Sequence, residues 1–230
     1  MSDPFEGLPR GHFAAVLADP PWHFQAWVDT GHSGARLPNG GKNYGSSRGP
    51  TYQTMRENEL KDIPVSELAA RDSVLFLWGC WPVLEQSLRL INAWGFTYKT
   101  CGFCWMKADQ YRLFALQEDV RMGLGYWTRA NSEFCLLSTR GKPKRINPDV
   151  RQGIIEPLRE HSRKPDCVHE RIERLVAGPY LELFARQSRP GWTTWGNETT
   201  KFDTSAPKLE PQHFVGGSKP FETDSCKTQP

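Results

Sequence analysis

The sequence predicts an α/β fold built on one mostly parallel sheet with helices on both faces, and three observations lead there. Unbroken apolar runs such as Phe13-Ala14-Ala15-Val16-Leu17 and Val74-Leu75-Phe76-Leu77-Trp78 lack the polar alternation of a half-exposed strand, so they read as strands buried on both sides. Stretches with apolar residues at helical spacing fall between such runs, and alternating strands and helices imply a parallel sheet covered on both faces. With 230 residues, 38% hydrophobic and 24% charged, the chain suits one large core and is too short for two generous domains.

The first strand is expected over His12 to Ala18. Residues Gln25 to Thr54 follow as a long loop, since Gly31, Gly34, Gly40, Gly41, Gly45 and Gly49 with Pro38 and Pro50 leave little room for regular structure. Ser73 to Gly79 is a second buried strand, followed by a helix opening at Pro82 with Leu84, Leu88 and Ile91 on one face. Phe96 to Lys107 and Ser132 to Ser138 are further strands, separated by a second mixed loop over Asp109 to Arg129. Pro165 stands where a first helical residue belongs, ahead of Val168, Ile172, Leu175 and Val176; Gly178-Pro179 stops that helix. Tyr180 to Phe184 and Trp192 to Trp195 complete the strands. A catalytic domain over residues 1–200 and a loose polar tail over 201–230 are the expected units.

Composition narrows the function classes. No apolar span is long enough to cross a bilayer, and Met1-Ser2-Asp3-Pro4-Phe5-Glu6 lacks a signal peptide's layout, which predicts a protein inside the cell with no membrane partner. The six cysteines, Cys80, Cys101, Cys104, Cys135, Cys167 and Cys226, lie among apolar neighbours and read as reduced thiols. Cys101-x-x-Cys104 has no second pair, and on a strand its members should point to opposite faces, so no metal site is expected. The net charge of +3 is small, but Arg140 to Arg174 holds ten basic residues against six acids. With nine tryptophans, that stretch suits either a phosphate-tracking surface with stacking platforms or an ordinary solvated helix face.

The most informative feature is Ala18-Asp19-Pro20-Pro21-Trp22, directly after the first apolar run. Read alone, it also suits a strand-ending turn. In an open parallel sheet, however, ligands bind beyond the carboxyl ends of the strands, where Asp19 and the segment after Phe184 both lie. An aromatic amine shares its lone pair with its ring and reacts only when acceptors hold its two N–H bonds and turn that pair outward. The Asp19 carboxylate, with an ordinary pKa near 3.9, and the Pro20 carbonyl are such acceptors on a backbone that proline stiffens, and Trp22 is a flat surface for a base. No Gly-x-Gly-x-x-Gly run is present, so a dinucleotide enzyme is not indicated. An aspartate-led acceptor turn in this architecture points to methyl transfer from S-adenosylmethionine.

The chain resembles the MT-A70-like family of adenine N6-methyltransferases over most of Phe13 to Glu198. The resemblance runs through Asp19-Pro20-Pro21-Trp22, Thr51-Tyr52-Gln53-Thr54-Met55, Leu75-Phe76-Leu77-Trp78, Trp94-Gly95-Phe96, Trp105-Met106-Lys107 and Glu133-Phe134-Cys135-Leu136. It continues through Arg163-Lys164-Pro165-Asp166, Ile172-Glu173-Arg174-Leu175, Leu181-Glu182-Leu183-Phe184-Ala185-Arg186 and Arg189-Pro190-Gly191-Trp192 to Gly196-Asn197-Glu198. It implies a permuted Rossmann-like methyltransferase sheet in which the amine-binding turn precedes the cofactor half. By the same resemblance Asp19, Pro20, Pro21 and Trp22 are catalytic, and Asp19 and Lys164 lie near the methionine end of the cofactor. Glu182, Arg186, Asn197 and Glu198, with Phe184 in the same block, contact its ribose or adenine. Tyr52, Trp105, Lys107, Tyr126 and Glu133 border the target base, although Trp105 and Tyr126 equally suit core aromatics. Two places depart from the pattern: Ser188 and Arg189 stand where eukaryotic members carry a longer His-Asn segment, and Glu198 replaces a more usual glutamine.

DNA is the expected substrate, because the chain has no appended RNA-binding module or finger-type Cys-His cluster and compact members of the family mostly act on DNA. RNA is the alternative polymer. A non-catalytic scaffold that holds nucleic acid for an active partner is the third reading, disfavoured by the intact Asp19-Pro20-Pro21-Trp22.

Overall fold

The computed structural model describes residues 3–23, 53–108, 120, 128, 130–160 and 163–203. Most of the two expected long loops, with Tyr52, Tyr126 and the chain after residue 203, lies outside the described residues. Strands β1 (Phe13–Ala18), β2 (Ala69–Gly79), β3 (Thr97–Ala108), β4 (Ser132–Arg140), β5 (Gly153–Pro157), β6 (Tyr180–Leu183) and β7 (Trp192–Trp195) form one sheet in the order β5-β3-β4-β2-β1-β6-β7. Four of its six pairings are parallel, and β4 alone runs against its neighbours β2 and β3. This is the mostly parallel α/β sheet that the apolar runs predicted.

β1 sits between β2 and β6 because both of its faces are apolar. Val16 and Ala18 join Leu75, Leu77, Phe134, Leu136, Leu181 and Leu183 on one side, where α1 (Glu57–Lys61) and α3 (Leu84–Ala93) contribute Leu60, Leu90 and Ile91. Ala15 and Leu17 join Val74, Phe76, Trp78, Phe103 and Cys135 on the other, where α4 (Cys167–Leu175) contributes Val168 and Ile172. Helices therefore cover both faces, and β1 is held by a parallel ladder on each edge. Among the described residues, no helix is long and apolar enough to cross a membrane.

The helix expected at Pro82 opens as a 3-10 turn over Trp81–Val83 and becomes α3 at Leu84. It closes with the Phe96 amide on the Ile91 carbonyl and the Gly95 amide on the Asn92 carbonyl, at 3.0 Å each. This closure needs the left-handed φ of 78° that Gly95 adopts.

Three elements were not expected. α1 and α2 (Val65–Leu68) are a turn or so long and begin at Arg56 and Pro64, residues that do not announce a helix start. β5 hides in the basic stretch because it is an edge strand with one fully buried side chain, Ile154, between Gly153 and Pro157.

Two expectations are corrected. Cys101 and Cys104 do not face opposite ways: Cys101 pairs with Leu136 and Cys104 with Phe134, two positions apart on β4, because an irregularity between Cys101 and Phe103 inserts Gly102. The folded body also runs past residue 200, since Phe202 is buried and Asp203 accepts hydrogen bonds from the Ser188 amide and hydroxyl at 2.8 Å.

α1 is tied to α3 by Arg89, which donates to both oxygens of Glu57 at 2.8 and 2.9 Å, while Lys61 approaches the same carboxylate at 2.6 Å. These donors hold the Glu57 carboxyl down to about 2. A depressed carboxylate stabilises the fold above its unfolded value of 4.5, and that contribution is lost as pH falls through about 2. Glu57→Gln is expected to cost about 0.5–1 kcal/mol in urea unfolding at neutral pH, with the gap to wild type closing at the acid end of the range.

Candidate active site

β1 delivers Asp19 to a point between two strand ends, because Ala18 is in register with Leu77 of β2 and Leu183 of β6. The turn after it is pinned. The Pro20 carbonyl accepts the Trp22 amide at 2.8 Å, the Pro21 carbonyl accepts the Met55 amide at 2.8 Å, and the His23 amide donates to the Met55 carbonyl at 3.0 Å. A parallel bridge between Trp22 and Met55 joins the two described segments on either side of residues 24–52.

Trp22 is not an open plate. Its ring is 6% exposed within the core, and its indole N–H donates to the Trp78 carbonyl at 2.9 Å. An apolar ring that can also satisfy its N–H is better placed inside than in water, so Trp22 anchors the turn to β2 instead of offering a stacking face.

A chain of alternating charges runs from Asp19 across the sheet end. Lys164 Nζ lies 2.8 Å from Asp19 Oδ2 and 3.5 Å from Glu133 Oε2, and Lys107 Nζ lies 2.6 Å from Glu133 Oε1. Glu133 and Lys107 come from β4 and β3, whose register places Trp105 opposite Glu133. Each lysine rests over an indole, Lys164 over Trp78 at 5.7 Å and Lys107 over Trp105 at 5.5 Å. Trp105 is therefore a floor and not a base platform: it is 2% exposed and donates to the Glu156 carbonyl at 2.9 Å.

The charges answer to this geometry. Burial pushes the Asp19 carboxyl above the ordinary aspartate value, against the pull of Lys164, so the unperturbed acidity expected of it is not what the fold provides. Burial acts on Glu133 in the same sense, but Lys164 and Lys107 outweigh it and hold Glu133 below the usual range. Cys80, at the end of β2, is raised to about 11 by burial and by Glu133, which keeps it a thiol at neutral pH and a poor nucleophile.

Asp19 and Lys164 also open one end of a cleft lined by Glu182, Phe184 and Arg186. Glu182 stands opposite Leu17 in the β1–β6 ladder. Phe184 turns the chain with a φ of 61°, the one positive value outside glycine among the described residues, and the backbone at Gly196 packs so close that a Cβ there would lie 3.0 Å from Phe184 Cα. That contact brings Glu198 to Arg186 at 3.6 Å, while Asn197 is exposed on the loop beyond. Tyr52 and Tyr126 lie outside the described residues.

Several lining residues had not been singled out. Asp166 accepts from Arg159 at 2.5 Å and Arg189 at 3.0 Å, and Arg159 also donates to the Lys164 carbonyl at 2.8 Å, so this cluster fixes the backbone that carries Lys164. Arg163 and His169 are both 8% exposed, and Phe202 lies under the Arg163 guanidinium at 5.2 Å. His169 follows Val168 on the apolar side of α4, and its place in a helical pattern gave no sign of its partner Glu182.

The cleft thus joins a carboxylate turn suited to holding an amine to a wall with a second carboxylate, two further cations and an aromatic ring. The chain is 31% identical over 204 residues to the Type II methyltransferase M.MunI of a Mycoplasma species, covering 86% of this chain and 82% of that protein. It is also 31% identical to an N(6)-adenosine-methyltransferase MT-A70-like protein of Arabidopsis thaliana and to the human N(6)-adenosine-methyltransferase catalytic subunit METTL3. Each covers 82% of this chain, which spans only 24% and 28% of their lengths. The MT-A70 family model matches residues 13–198, from the first residue of β1 to the residue that meets Arg186. The chain belongs to the MT-A70 family of methyltransferases.

Proposed function

We propose that this protein transfers a methyl group from S-adenosylmethionine to the N6 amine of adenine in DNA, inside the cell. The observation that carries the reading is Asp19, a rigidly presented carboxylate whose Oδ2 is taken by Lys164 at 2.8 Å and which opens onto the cleft holding Glu182 and Arg186. When bound, S-adenosylmethionine supplies an electrophilic methyl group on a sulfonium centre. The cleft's side chains fit such a molecule: Lys164 and Arg163 suit its carboxylate, Glu182 and Arg186 its ribose, and Phe184 its base.

The chain's own groups do the orienting. Asp19 Oδ1 accepts one N–H of the amine and the second lone pair of the Pro20 carbonyl accepts the other, which turns the nitrogen lone pair toward the cleft. Lys164 and Glu133 hold Asp19 in place. A base in a duplex cannot reach this turn, so the target nucleotide is flipped out or already unpaired.

DNA is favoured over RNA because the similarity to M.MunI spans most of both chains, whereas the adenosine enzymes are matched over about a quarter of their length. The test is methylation of matched DNA and RNA oligonucleotides by the purified chain with labelled S-adenosylmethionine, followed by nucleoside analysis. N6-methyldeoxyadenosine as the main product is expected. Preferential labelling of RNA would transfer the reading to that polymer, and binding of oligonucleotide without any transfer would support the scaffold.

A further inference from the structure

His169 belongs to the first turn of α4, and its ring is buried against the cleft wall. Its Nε2 is 2.8 Å from Glu182 Oε2. Its Nδ1 is buried and has no hydrogen-bond partner among the described residues. The ring meets Trp192 edge-on with centroids 4.8 Å apart, and Trp192 is itself fixed by its indole N–H on Glu173 at 2.7 Å and by stacking on Tyr180.

These contacts decide where the imidazole proton sits. A carboxylate only accepts, so the nitrogen facing Glu182 carries the hydrogen. His169 is therefore a donor held in one orientation, and Glu182 has one oxygen bound from the protein side. Without that bond Glu182 has several rotamers on a short strand at the cleft edge, and a ligand would have to order it on binding.

We propose that His169 is a positioning residue for ribose recognition: it locks Glu182 so that the free acceptor sites of the carboxylate meet the vicinal hydroxyls of a nucleoside ligand. The inference rests on the proposed use of S-adenosylmethionine. It adds that selectivity for the ribose diol depends on a histidine in α4, one layer behind the carboxylate.

The experiment compares S-adenosylhomocysteine with its 2′-deoxy counterpart by calorimetry on the full chain. Wild type is expected to favour the hydroxylated ligand by about tenfold or more. His169→Phe keeps a ring against Trp192 but removes both nitrogens; it should weaken S-adenosylhomocysteine about tenfold and leave the deoxy ligand nearly unchanged, so the preference collapses. His169→Gln retains an N–H donor and should restore most of the preference. If His169→Phe does not fold, His169→Leu takes its place.

A variant that binds both ligands as wild type does overturns the proposal. So does one that weakens both equally, because a structural residue would leave the ratio intact. Failure of wild type to bind S-adenosylhomocysteine at all would instead remove the cofactor reading, and this inference with it.

Discussion

Asp19→Asn is expected to lower the rate of methyl transfer by about 100-fold or more, the usual scale for losing one preorganised hydrogen-bonding group at a reacting centre. The substitution keeps the side chain's size and one acceptor oxygen but removes the charge that Lys164 holds at 2.8 Å. Stability should change little, within about 1 kcal/mol, because the lost ion pair is offset by relief from burying a carboxylate. The sign follows from the raised carboxyl of Asp19. A carboxyl whose folded value lies above its unfolded one favours the fold at low pH, and that contribution disappears as pH rises through the folded value. Activity runs the opposite way, since only the ionised form balances charge on the amine, so the acid limb of the pH–rate profile should fall above the ordinary aspartate value of 3.8. Thermal melts and single-turnover assays at matched pH check both halves. Activity within tenfold of wild type would end the assignment of Asp19.

Lys164→Met is expected to be the most damaging substitution to fold and function together. Asp19 and Glu133 share this one ammonium, and without it two carboxylates face each other at the sheet end, opposed among the described residues by Lys107 beside Glu133 and by the more distant Arg186 on Asp19. Breaking a buried pair typically costs 3–5 kcal/mol; with about a fifth of each side chain still exposed, about 2–4 kcal/mol is expected. The loss should deepen as pH rises, since the Asp19 carboxyl would be raised further and its ionisation would weigh on the folded state. Asp19→Asn in the same chain should recover part of the stability by removing one of the two negative charges, without recovering activity. Strict additivity in that double-mutant cycle would show that the two residues are not coupled.

What was legible depended on whether a residue's neighbours in space were also its neighbours in sequence. β1, β2 and β4 are buried on both faces, so their apolar runs announced them, and Asp19 was found because it follows β1 directly. α1, α2 and β5 were hidden because each is short and buries one or two side chains, too little to leave a period in the sequence. Among the site residues that the sequence reading names, Asp19, Lys164, Glu182, Phe184 and Arg186 line one cleft, and Lys107 and Glu133 pair beside it. The bond between Glu133 and Lys164 depends on the antiparallel register of β3 on β4 and on the start of α4, which no local pattern records. Residue type does not say whether a tryptophan meets water or core, so Trp22 reads as a stacking face and Trp105 suits either role; both serve as buried supports. The place of His169 in a helical pattern is equally silent, since its significance lies in one bond to Glu182 on a different element.

The bridge between Trp22 and Met55 has an evolutionary consequence. Amide–carbonyl bonds at Pro21, His23 and Met55 hold the two flanks of residues 24–52 side by side. Lengthening a segment closed in this way is cheap, each doubling adding about 0.6 kcal/mol of closure entropy. The position of Asp19 and its turn is thereby decoupled from the length of the chain between His23 and Gln53, and insertions or deletions there are expected to leave the carboxylate where it is.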